Sequence, residues 1–216
     1  MTSRVARRSA PRLLACMLDA VMLDWETTLV NTTMARREAR ERALADEGAT
    51  IDNMRSDPTL ADLIELRAQR HFAERLGKGV MLAPGAREFV ERIQVGARLA
   101  IVTTATRSET EFVLRLAGLD GAASAIIAAD DAASNAHQLA LDHLAKRRPV
   151  LRERSIAIVH SSPGLHSAKL INVKTVAIAA PAHVALEADG AIDHVNGLTL
   201  GDLARVAGIM FAEHRS

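Results

Sequence analysis

The chain alternates short, almost uninterrupted apolar runs with amphipathic segments, and that alternation leaves few folds open. The runs are "DAVMLD" (19–24), "RLAIVTT" (98–104), "SAIIAAD" (124–130), "SIAIVHS" (155–161), "KTVAIAA" (174–180) and "GAIDHV" (190–195). Helical patterns occupy 83–96, 107–119, 135–147, 164–171 and 199–210. Strands alternating with helices of this length indicate βαβ units and a parallel sheet. A run such as "IAIV", apolar at every position, needs cover on both faces of the sheet. The expected class is therefore α/β, a doubly wound, Rossmann-like parallel sheet.

One region breaks the rhythm. "MARREARERALADEG" and "TLADLIELRAQRHFAERLG" read as two helices with no strand between them. Gly48 and Gly77 are plausible helix stops, and Asp57-Pro58 opens the second helix. The pattern predicts a small α-helical cap inserted after the first strand, with the sheet resuming beyond Pro84-Gly85. The expected division is a flexible basic tail (1–17), a core domain (18–32 and 81–216) and the cap (33–80). Arginines 36, 37, 40, 42, 67, 70 and 75 mostly alternate with acids, the pattern of a solvated helical face.

Composition removes several functions. A net charge of +1 argues against a nucleic-acid footprint. Four Phe, one Trp and no Tyr provide no base-stacking platform, and the cap lacks aromatic groups from which a substrate could be read. No apolar run approaches the roughly 18 residues of a membrane span. The single cysteine, Cys16, excludes an internal disulfide, fits a reducing cytoplasm and reads as a small apolar residue. The opening "MTSRVARRSAPR" carries four arginines without a following apolar targeting region, and reads as a loosely attached tail.

The first strand raises the functional question. In "AVMLDWETTLVNTT" (20–33) four apolar residues deliver Asp24, with Glu26 two positions on. This is either a solvated strand end or a catalytic loop on a rigid strand. "RLAIVTT" likewise ends in hydroxyls, Thr103 and Thr104.

With "MLAPGAREFVERI", "HQLALDHLA" and "IAIVHSSPGLHSAKLINVKTVAI", these stretches in their order resemble the haloacid dehalogenase-like superfamily. The similarity is to its phosphatase and phosphoglucomutase-like branch with a helical cap, and it covers roughly residues 18–205. The resemblance implies that Asp24 is a nucleophile forming an aspartyl-phosphate and that Glu26 is the acid/base. It further implies that Thr103 and Thr104 hold phosphoryl oxygens, and that Asp24 and Glu26 bind Mg²⁺.

The sequence departs from the family pattern at several of these positions. Thr27 replaces the loop glycine and Asn31 the trailing Asp, and the third-motif lysine falls at about Asp131. The fourth motif's acidic pair is His160-Ser161. Mg²⁺ is thus expected from the family but meets a degraded site, leaving no cofactor as the other outcome. Asp130 and Asp131 are open as substitute oxygen donors. His160 and His166 read as structural, since no third ligand is evident. Ser161-Ser162 resembles the metal-free dehalogenase branch, whose lysine is missing here, and "HSSPG" does not make the Gly-x-Ser-x-Gly elbow of a serine hydrolase.

Two functions are expected from this set. One is a weakened hydrolase acting at Asp24 on a small phosphorylated molecule. The other is a catalytically inactive descendant that binds a ligand or a protein. The chain is expected to be cytoplasmic, a monomer or homodimer, with no membrane or nucleic-acid partner.

Overall fold

In the computed structural model, which describes residues 18–131 and 134–209, strand β1 (Ala20–Leu23) is buried at all four positions. It lies at the centre of a six-stranded sheet ordered β3-β2-β1-β4-β5-β6. The other strands are β2 (Arg98–Val102), β3 (Ala125–Ile127), β4 (Ser155–Val159), β5 (Lys174–Ile178) and β6 (Gly190–Ile192), and every pairing is parallel. Ala20 pairs with Arg98 on one side and Ser155 on the other.

Successive strand residues face opposite sides, so each strand feeds two cores. Val21 and Leu23 join Leu99, Ile101 and Ile158 beneath helices α4 (Ala86–Gly96), α5 (Arg107–Leu116) and α9 (Leu200–Val206). Ala20 and Met22 join Ala100, Ala157 and Val159 beneath α6 (Ala136–Ala145), α7 (Ser162–Leu170) and α8 (Ala182–Glu187). The sheet is covered on both faces, as its continuous apolar strands require. The order reverses between β1 and β4, and the crevice at their carboxyl ends is where ligands of such folds bind.

Between β1 and α4 the chain forms α1 (Thr33–Asp46), α2 (Ile51–Ser56) and α3 (Pro58–Gly77). The short α2 was not expected. It exists because Thr50 caps its first turn, and Asp57 then ends it and caps α3 through the N–H groups of Thr59 and Leu60. α1 and α3 pack along an alanine seam, with Ala43, Ile64 and Ala68 as a small core. Phe72 and Leu76 of α3 and Ala35 and Ala39 of α1 extend the main core. Gly85 re-enters the sheet domain with a left-handed φ of 78°, and a Cβ there would meet the Asn196 backbone at 2.7 Å. Glycine fits that corner without strain.

The strands are shorter than the apolar runs suggested. β1, β2 and β3 stop at Leu23, Val102 and Ile127, because Asp24, Thr103 and Ala128 turn into the loops that carry the polar groups. α8 follows Pro181 and is too short to leave a periodic signature. The basic tail and Cys16 lie outside the described residues. No helix among the described residues is long and apolar enough to cross a membrane.

Candidate functional site

A cleft of about 600 Å³ opens at the carboxyl ends of β1, β2 and β4, and Asp24, Glu26, Thr103, Thr104 and His160 all line it. The candidate catalytic and phosphate-binding residues read from the sequence, Asp24, Glu26, Thr103 and Thr104, therefore line one cleft. Asp24 extends the β1 ladder, its N–H donating to the Ile158 carbonyl at 3.0 Å. Burial, and then the charge of Glu26, push its carboxyl up to about 7, against a hydrogen bond from the His160 backbone. A carboxyl so placed is about half protonated near neutrality, and a cation beside it would favour its ionised form.

The loop beyond Asp24 is tightly turned. The Thr27 N–H donates to the Val30 carbonyl at 2.8 Å, and the Leu29 N–H to that of Trp25 at 2.9 Å. Thr27 has a φ of 66°, the left-handed region that a glycine would occupy without cost.

Glu26 is not free. Its Oε1 accepts from Thr32 Oγ1 at 2.9 Å and from Arg36 Nη2 at 2.7 Å. Thr103 Oγ1 reaches its Oε2 only at 3.4 Å, while accepting from the Ala105 N–H at 3.1 Å. The other end of the Arg36 guanidinium lies 2.6 Å from Glu109 Oε1, and the group sits 4.7 Å above the Phe72 ring. Burial raises the Glu109 carboxyl, with Arg36 opposing it. Arg36 was read as part of a solvated face. That reading holds for Arg37, Arg70 and Arg75, exposed side chains that pair with Glu41, Glu74 and Glu38. Arg67, held by Glu47, is half-buried instead, and Arg36 flanks the buried Ala35–Ala39–Ala43 stripe, a position that turns it inward.

Sequence reasoning also missed His137. It lines the cleft at the start of α6 and is only 2% exposed. Burial depresses its imidazole to about 4, so the ring is neutral. Ser167 Oγ donates to Asn135 Oδ1 at 3.0 Å and lies 3.0 Å from His137 Nδ1. With the hydroxyl proton committed to Asn135, Nδ1 carries the ring proton, and Nε2 is a lone pair with no partner. Its signal was present: position 137 falls on the same helical face as Ala140, Leu141 and Leu144.

Asp130 and Asp131 are not in the cleft. The loop after β3 turns back toward α5, where Asp130 Oδ1 accepts the Arg107 N–H at 2.9 Å. Asp131 holds the Arg107 guanidinium at 2.7 Å and accepts the Ala128 N–H at 2.8 Å. Engaged there, neither acid lines the cleft as the substitute oxygen donor left open by the sequence. At the fourth-motif position, Ser161 caps α7, its hydroxyl accepting the Gly164 N–H at 3.3 Å.

A magnesium ion wants about six oxygens in near-octahedral array. The cleft offers Asp24 and Glu26, the latter already engaged by Arg36 and Thr32. No group of three or more His, Cys, Asp or Glu side chains that could hold a metal occurs among the described residues. An ion held by one or two carboxylates would complete its shell with water and substrate oxygens, and the family's further acidic pair is here His160 and Ser161.

A second cavity, about 640 Å³, lies between α1, α3 and α5, and shares Arg36 and Thr104 with the first. Phe72, itself buried, and Phe112 of α5 line it.

The fold and its strand-end cleft define a class: a doubly wound α/β protein with a helical insertion after the first strand. The family model described as haloacid dehalogenase-like hydrolase matches residues 45–178, more than half of the chain, and the chain belongs to that family. Among solved structures, a β-phosphoglucomutase from Clostridium difficile is similar with a TM-score of 0.71 and 14% identity, over 89% of this chain and 98% of that one. CbbY from Rhodobacter sphaeroides, in complex with phosphate, gives 0.70 and 23%, over 88% and 99%. The HAD-hydrolase YfnB from Bacillus subtilis, bound to magnesium, gives 0.66 and 14%, over 89% and 100%. At such identities the likeness is one of fold. No curated protein matches the chain.

Proposed function

We propose that this protein keeps the fold of a haloacid dehalogenase-like hydrolase and uses its strand-end cleft to bind a small molecule, without efficient phosphoryl transfer. The observation that carries this reading is the state of the two candidate catalytic acids. Asp24 is held up to about 7 by burial and by Glu26, and Glu26 is committed to Arg36 and Thr32. An acid/base held by a guanidinium is not available to a leaving oxygen, and a nucleophile half protonated near neutrality is weakened besides. Among the described residues no lysine lines the cleft to stabilise a phosphoryl group.

The other reading is hydrolysis of a small phosphate ester through an aspartyl-phosphate at Asp24, which family membership suggests. It is favoured by the placement of Asp24, Glu26 and Thr103 around one cleft. Steady-state turnover of a panel of phosphate monoesters with excess Mg²⁺ separates the two. Binding without hydrolysis predicts no turnover that Asp24→Asn removes. Brisk, Mg²⁺-dependent turnover abolished by Asp24→Asn would establish the hydrolase instead.

A further inference from the structure

The amino ends of the central strands, opposite the cleft, carry a different chemistry. The chain crosses this end between α6 and β4 as "KRRPVLRER" (146–154), in which Glu153 is the only acid. Lys146, Arg147, Arg148 and Arg152 are exposed. Among the described residues no carboxylate pairs with the first three. Arg152 donates to the Gln138 side-chain oxygen at 2.9 Å and to the Ile171 carbonyl at 3.4 Å, both uncharged, which brings the end of α7 alongside. Arg98, the first residue of β2, holds the segment through the carbonyls of Arg148 at 2.7 Å and Pro149 at 2.8 Å. Burial, and then the charge of Arg148, lower its guanidinium. Asp19, the acid just before β1, is taken up by Arg154 at 3.6 Å and by the Leu151 N–H at 3.0 Å. Lys146 and Lys169 sit at the carboxyl ends of α6 and α7, where the helix dipole favours a cation. That local reason does not extend to Arg147, Arg148 and Arg152. The face thus bears positive charge that the chain's own acids leave uncompensated.

Two leucines lie among these cations, Leu151 at 45% and Leu170 at 64% exposure. Cations interspersed with exposed leucines suit the boundary between lipid headgroups and acyl chains. The chain enters β1 from this face, and the preceding residues 1–17 add Arg4, Arg7, Arg8 and Arg12 with no acid. We propose that this face, built on Arg147, Arg148, Arg152 and the two leucines, docks the protein reversibly on an anionic lipid surface. The expectation of no membrane partner came from the lack of an apolar span, which bears on crossing a bilayer and not on resting against one. Docked this way, the protein keeps the cleft turned away from the lipid and open to solvent. The inference is independent of whether that cleft binds its ligand or hydrolyses it.

The test is co-sedimentation of the full chain with vesicles of phosphatidylcholine alone or with roughly 30% phosphatidylserine. The anionic vesicles should bind at least about tenfold more tightly, since each cation near such a surface is worth about fivefold. The preference should fade between ~0.05 M and ~0.5 M salt as the charges are screened. Arg147→Glu with Arg148→Glu should weaken binding by about twentyfold or more. Arg55→Glu, an exposed change on the helical insertion, should leave it intact. The vesicle comparison is made on the parent protein, so it does not depend on a variant folding. Equal binding to both vesicles, or none to either, would overturn the inference. So would an equal loss in Arg55→Glu, which would show an effect of net charge and not of this face. Tighter binding of a short duplex DNA or of polyglutamate, lost through the same double reversal, would assign the face to nucleic acid or to an acidic protein and overturn the lipid reading.

Discussion

At the scale of single residues, the loop after the first strand carries two measurable costs. Thr27 sits at a φ of 66°, and a non-glycine residue there carries roughly 1–3 kcal/mol of strain. Thr27→Gly should relieve it, partly offset by the greater freedom of glycine in the unfolded chain, for a net gain of about 1 kcal/mol. A urea midpoint that falls instead of rising would refute the strain. Asp24 provides the second cost. Burial, and then the charge of Glu26, hold its carboxyl up at about 7 in the folded chain, against an ordinary 3.8. Between those values the unfolded chain binds fewer protons, so stability falls as pH climbs through this window and stays low above it. Asp24→Asn removes the titration. The variant should exceed the parent in stability at about pH 8 by on the order of 2 kcal/mol, with a smaller margin at acidic pH. Denaturation curves at the two extremes read this directly, and a margin that grows toward acid would contradict the assignment.

At the scale of elements, Arg36 is the clasp between the helical insertion and the sheet domain, joining α1 to Glu26 beyond β1 and to Glu109 on α5. Arg36→Ala should cost about 1–3 kcal/mol, because it leaves two partly buried carboxylates facing each other. It should also speed amide exchange in α1. Adding Glu109→Gln should recover part of the loss, and full additivity of the two changes would show that the clasp is not a unit. β6 and α9 meet at Gly190, where an added Cβ would lie 2.3 Å from Val206 Cγ1 and 2.4 Å from the Val206 carbonyl oxygen. Gly190→Ala should therefore lower stability by about 1–3 kcal/mol by thermal denaturation. The longer elements were legible because their periodicity is local. Asp57-Pro58 marked the start of α3, and Phe89, Val90 and Ile93 marked the buried face of α4. α2 and α8, six residues each, span too few turns for a period to show.

At the scale of the whole molecule, the sheet and the four strand-end site residues could be read from the chain, since a strand's last residue and its loop are neighbours in sequence. The pairings Arg36–Glu109 and His137–Ser167 could not, because they join separate elements and leave no local pattern. A chain carrying Glu26→Asp, Thr27→Gly, His160→Glu and Ser161→Asp together should bind Mg²⁺ more tightly than the parent, measurable by titration calorimetry. Equal affinities would show that the donor set is not what limits the ion. The strand order has a consequence for how the chain is made. β1 is the first of the described strands to leave the ribosome, yet one of its two edges waits for Ser155–Val159. Throughout that interval a strand apolar at every position carries an open ladder of backbone donors and acceptors. Non-local parallel pairing is slow to form, and an exposed edge of this kind recruits other chains. Nascent chains stalled before residue 155 should therefore be aggregation-prone, and synthesis of β4 is the event that closes the edge.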